Sequence, residues 1–224
     1  MNLLQDSFRP AMGMFIFAFW FSYMECQAEG KAGWAGNFPT WRLNSGPISF
    51  LYSLLAGSGK PLTGYHLGVS FNQALPIAAL PFFFGLPFSW GRFFLHVAYF
   101  VEFSILQDLV WFIINPHYGI SKFTKPNVEW YSTQRWILWL PSCYWVGTAV
   151  CILFSMLSKF LGETHAVTRN LEVIAWYPGF LFALIVLVGL FRLIAPLLER
   201  LFTRSNEWFD RVTRWKSQDP ANKL

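Results

Sequence analysis

Five apolar stretches, each near the length of a bilayer crossing, set what this chain can fold into. A helix rises about 1.5 Å per residue and the hydrocarbon core is about 30 Å thick, so a crossing takes about 20 apolar residues. The stretches run over about 10–26, 67–88, 93–115, 136–158 and 171–195. Only 13% of the 224 residues are charged and 54% are hydrophobic, against about 25% charged in a soluble domain. The expected fold class is all-α, a polytopic transmembrane helical bundle of about five spans. Residues 1–198 are read as one transmembrane domain, and 199–224 as a basic amphipathic interfacial helix with a short disordered tail.

The tail reading rests on periodicity. Leu201, Phe202, Trp208, Phe209, Val212 and Trp215 recur at helical spacing, with Arg200, Arg204, Arg211, Arg214 and Lys216 among them. That pattern suits a helix lying in the headgroup region over an anionic leaflet. Counting basic residues places the C-terminus in the cytoplasm. The loop over 116–135 then falls on the same side, which its Lys122, Lys125 and Arg135 support. Arg9 opposes this orientation, because it leaves the N-terminus outside. The run over 47–58 is too short to span and is read as re-entrant or interfacial. A sixth crossing there would remove the conflict. The first stretch is read as a retained span, since Glu25-Cys-Gln-Ala-Glu29 makes a poor cleavage site.

Several chemistries are excluded by pattern. The net charge of +5 sits in short flanks of apolar runs, which argues against a nucleic-acid partner. Three cysteines, Cys26, Cys143 and Cys151, do not make a disulfide framework. HExxH and GxSxG are missing, and Gly57 to Lys60 lacks the spacing of a phosphate loop. His96 and His117 fall near opposite ends of the third stretch, about 31 Å apart along a helix. One metal ion cannot bind both, since metal–nitrogen bonds are about 2 Å. His165, Glu163 and Glu172 remain weak metal candidates, and no pattern assigns a cofactor.

The third stretch carries the functional candidates. Glu102 lies about 13 Å inside the apolar run from Phe93. Asp108 is also deep, and a carboxyl at such depth faces protein or a water-filled cavity. His96, Glu102 and Asp108 point about 120° apart at about 100° per residue. His96 shares its face with Arg92 and Gln107, Asp108 with Ser104 and Asn115, and Glu102 lies nearest Tyr99 in angle. The helix should therefore be central, with protein on every side. Glu102, Asp108 and His117 are the catalytic candidates, and Arg92, His96, Trp111, Asn115 and Tyr118 the substrate-binding ones. Together they point to an enzyme or binding protein acting on a lipid or other hydrophobic substrate. A non-enzymatic subunit of a membrane complex and a small proton- or ion-coupled transporter are the alternatives. Expected partners are membrane lipids and membrane proteins, including a second copy of this chain.

Overall fold

In the computed structural model the backbone is described for residues 3–218 except 37, 57 and 59. Side chains are described over the same range except 3–6, 54–56, 198–199 and 201–218. Two compact units divide the chain, Met1–Leu181 and Phe182–Leu224.

The first unit is an all-α bundle. Helix α1 (Leu3–Glu29) ends at Gly30, whose φ of +56° supplies the left-handed residue that closes a helix. A short ladder, β1 (Arg42–Leu43) with β2 (Leu62–Thr63), pairs antiparallel on either side of α2 (Pro47–Ala56). The chain thus enters and leaves the α2 segment at one level. Thr63 then caps α3 (Gly64–Ala74), its Oγ1 accepting from His66 N.

A π-helical stretch, Leu75–Ala79, joins α3 to α4 (Leu80–Phe83). The prolines of the second apolar stretch explain it. Pro76 and Pro81 remove two backbone donors, and such gaps are where a helix kinks or widens. The carbonyl of Ile77 loses its α-helical partner because residue 81 is proline. His96 Nδ1 lies 2.7 Å from that carbonyl oxygen and replaces the missing donor.

Ser89 caps α5 (Trp90–Ile114), and the helix stops at Asn115, directly before Pro116. The fourth apolar stretch begins differently from expectation. Residues 136–141 form a hairpin, β3 (Trp136–Ile137) with β4 (Leu140–Pro141), and α6 covers Ser142–Phe160. Leu138 and Trp139 turn the hairpin with φ of +47° and +71°. Pro141 cannot donate within a helix but is tolerated at its start. Helix α7 (Ala166–Gln218) follows.

Contacts give the helix directions. Ser22 Oγ donates to Gln107 O, Cys26 Sγ to Trp111 O and Asn115 Nδ2 to Gly30 O, so α1 and α5 run parallel. Gln73 meets Gln107 and Phe82 meets Phe93, so α3 and α4 oppose α5. Tyr144 meets Asp108 and Ser158 meets Gly91, so α6 also opposes it. Trp176 reaches Ser7 and Tyr177 reaches Met14 from the first part of α7. At the C-terminal end of α5 the loop over 116–135 folds back. Phe123, Val128, Trp130 and Tyr131 build a core there with Trp111, Phe112 and Tyr144.

Three described helical stretches are long and apolar enough to cross a membrane: Trp90–Ile114, Ser142–Phe160 and Ala166–Leu197. The second unit exposes apolar side chains such as Phe182, Leu187 and Leu193. Apart from Arg200, the expected amphipathic face over 199–224 falls on side chains outside the described residues, as does the backbone of 219–224.

Candidate functional site

The three polar directions of α5 meet three different neighbours. His96 faces the π stretch, as above. Gln107, on the same side, donates through Nε2 to Glu25 Oε2 and accepts from Gln73 Nε2 at 3.3 Å. Tyr65 places its hydroxyl 3.4 Å from the other Glu25 oxygen. Asp108 points toward α6 and the folded loop, where the Tyr131 hydroxyl donates at 3.0 Å and the Tyr144 hydroxyl also donates. Glu102 points between α6 and α7, with Cys151 Sγ at 4.0 Å and the Tyr177 hydroxyl beside it.

The remaining candidates serve the ends of α5. Arg92 Nε pairs with Glu163 Oε1 at 3.2 Å, and its guanidinium donates to Pro87 O at 2.9 Å. Asn115 is fully buried, with Nδ2 on Gly30 O and Oδ1 accepting from His117 N. Trp111 and Tyr118 pack into the aromatic core, and Tyr118 donates to Lys31 O at 3.3 Å. The imidazole of His117 is exposed, and among the described residues no hydrogen bond joins it to Asp108. His165 is exposed as well, and Glu163 is engaged by Arg92. Among the described residues no three His, Cys, Asp or Glu side chains gather as a metal set.

Two groups that the sequence reading passed over, Glu25 and Glu29, enter the bundle at the C-terminal end of α1. They lie i, i+4 on α1, one face of a helix, which was the available signal. Glu29 Oε1 accepts from Ala35 N at 2.6 Å. The turn that brings Ala35 there is left-handed through Gly33, Trp34 and Ala35, with φ of +59°, +45° and +50°. Glu29 therefore holds an uncommon backbone conformation in place. His66 Nε2 is 3.9 Å from the same oxygen, and its Nδ1 is 2.8 Å from Thr63 Oγ1.

Burial pushes both groups toward their neutral forms. The Glu29 carboxyl is raised to about 7, against the bond from Ala35 that lowers it. The His66 imidazole is lowered to about 4, with Arg42 adding to the effect. A raised carboxyl binds its proton more tightly in the folded state. Between its unfolded value of 4.5 and about 7 the folded chain holds more protons, so the Glu29 contribution to stability falls as pH rises. His66 acts in the opposite sense, costing stability as pH falls from 6.5 toward 4. Comparison with Glu29→Gln isolates the first effect. The stability of the native chain relative to that variant should drop by on the order of 3 kcal/mol between pH 4.5 and 7. Thermal unfolding across that range measures it, and a pH-independent difference would refute it.

A cavity of about 120 Å³ opens at Glu102. Its wall comprises Glu102, Ile105, Leu106 and Leu109 of α5, Thr148 and Cys151 of α6, and Ile174, Tyr177 and Leu181 of α7. Glu102 is 5% exposed, and its Oε1 has no hydrogen-bond partner. A larger open groove of about 290 Å³ runs along Asn44, Ser49, Ser53 and Lys60, but no carboxyl lines it. Of these two spaces the smaller one holds a carboxyl in its wall. No family model, curated protein or solved structure matches this chain at a significant level.

Proposed function

We propose that this chain is a multi-pass integral membrane protein that binds a lipid or other hydrophobic substrate at Glu102. The observation that carries the reading is the Glu102 cavity itself. A buried carboxyl oxygen without a partner is costly in an apolar surrounding, and intramembrane carboxyls of this kind mark ligand or ion sites. The half-buried rim, Ile105, Leu109, Thr148, Ile174 and Leu181, is nearly all hydrocarbon. Entry is from the lipid side. Glu102 is the acid–base group of any reaction at this site. Asp108 serves as a structural anchor, since both its phenolic partners come from the protein.

Five crossings are proposed, by α1 up to Cys26, by α3 with α4 from Leu67, by α5, by α6 and by α7. The alternating directions of the contacts among α1, α3 with α4, α5 and α6 support this, and the β1–β2 ladder supports a non-crossing α2. With the C-terminus cytoplasmic, Asp108 and Glu29 lie toward the cytoplasmic face and Arg92 toward the outer one.

The test is mass spectrometry of small molecules that co-purify with protein extracted from its membrane. Leu106→Trp, which fills the cavity, should lose a hydrophobic species that the native protein retains. Identical profiles for a folded variant and the native chain would overturn the reading. A second reading, a non-enzymatic subunit of a membrane complex, is favoured by the exposed apolar faces of α6 at Val146, Leu153 and Met156. In that case Leu106→Trp leaves the small-molecule profile unchanged.

A further inference from the structure

We infer that the Glu102 cavity takes a hydrophobic amine, with its nitrogen on the Glu102 carboxyl and its chain leading out toward lipid. The inference rests on the binding reading above and adds the chemical class. It comes from counting donors and acceptors in the cavity wall. The donors are already used. The Tyr177 hydroxyl is shared between Glu102 and Met14 Sδ, the latter at 3.6 Å, the Cys151 thiol is directed at Glu102 Oε2 at 4.0 Å, and Thr148 Oγ1 donates to Tyr144 O at 2.9 Å. Just behind the wall, Ser155 Oγ donates to Cys151 O at 3.0 Å, and the Asn170 amide nitrogen approaches Cys151 Sγ at 2.8 Å.

The acceptors are in surplus. Glu102 Oε1 has no partner, and neither has the buried Asn170 Oδ1 beside Cys151. Among the described residues no Lys, Arg or His forms an ion pair with Glu102. A ligand that fits must therefore bring donors. Carboxylate and phosphate head groups bring acceptors and negative charge, so they are disfavoured. An amine brings donors, and by taking the carboxyl proton it forms an ammonium–carboxylate pair with three N–H donors on the nitrogen.

Size agrees with this assignment. Liquid water occupies roughly 30 Å³ per molecule, so the cavity has room for about four groups of that size. That is an amine nitrogen with its first methylenes. The rest of the chain leaves past the half-buried Leu109, Thr148 and Leu181.

The experiment is equilibrium binding of radiolabelled decylamine to the full-length protein in lipid nanodiscs, with decanol and decanoate as chain-matched competitors. Decylamine should bind saturably at one per chain. Glu102→Gln should weaken it roughly tenfold or more, and Thr148→Phe, which blocks the cavity from the opposite wall, should abolish it. Decanol or decanoate competing as well as decylamine, with the same dependence on both variants, would overturn the amine assignment and leave the hydrophobic site standing. Binding of all three probes that ignores both substitutions, or no saturable binding at all, would overturn the assignment and the site together. Thermal unfolding of each variant confirms its fold, and Thr148→Phe alone decides if Glu102→Gln does not fold.

Discussion

Asp108→Ala is expected to lower the stability of this protein by about 2–4 kcal/mol, read as thermal or denaturant unfolding of the detergent-solubilised chain. The cost does not come mainly from the lost bonds. Hydrogen bonds between transmembrane helices average only about 0.6 kcal/mol by double-mutant cycles. It comes from what is stranded. Tyr131 and Tyr144 are buried, at 5% exposure each, and both donate to Asp108 Oδ2. Alanine leaves both hydroxyls in an aromatic core without their carboxylate acceptor, and Tyr131 keeps only the weak acceptor of the Cys143 thiol. Asp108→Asn keeps an acceptor oxygen and should cost about 1 kcal/mol. Removing the polar groups together, as Asp108→Leu with Tyr131→Phe and Tyr144→Phe, should recover most of the loss, because apolar replacement of both partners is nearly neutral. Equal stability of the native chain and Asp108→Ala would show that the cluster holds nothing.

The second large effect is steric. Gly91→Val should destabilise by about 3 kcal/mol, combining overpacking of about 1–3 kcal/mol with a broken bond of about 1 kcal/mol. A Cβ on Gly91 would lie 2.9 Å from the Leu161 carbonyl oxygen and 3.2 Å from that of Ser158. Those atoms are backbone at the end of α6 and cannot rotate away. The close approach also lets Ser158 Oγ donate to Gly91 O at 2.7 Å and Arg92 pair with Glu163 at 3.2 Å. All of these separate together when α5 is pushed off α6. Gly13 of α1 is the control, since a Cβ there meets nothing within 4 Å. Gly13→Ala should gain up to about 1 kcal/mol from reduced backbone entropy in the unfolded chain. If both substitutions stabilise, the tight contact between α5 and α6 is absent.

Much of the helix layout was legible. The stretch expected over 93–115 is α5, Trp90–Ile114, because Asn115-Pro116 is a local stop signal that acts through the backbone, while the Ser89 cap starts the helix three residues earlier. Pro76 and Pro81 stand in the second stretch, and the π stretch Leu75–Ala79 forms where they remove backbone donors. The fourth stretch misled by six residues, since its leading Trp136–Pro141 is as apolar as a helix but folds as a hairpin. Composition cannot separate those two outcomes over so short a run. Glu25 and Glu29 were overlooked because they read as the polar boundary of a span. Their environment comes from Tyr65 and His66, some forty residues later.

The sequence by itself determined that α5 is polar in three directions and so must be surrounded by protein. That follows from helical geometry, which is local and fixed by residue spacing. Only the tertiary structure decided what each direction means. His96 replaces a donor that Pro81 lacks, Asp108 is claimed by two tyrosines, and Glu102 keeps one oxygen unclaimed beside a cavity. Whether a buried polar group is structural or available depends on which distant side chains reach it. In a low-dielectric interior that satisfaction, rather than the residue type, sets its energy and its use.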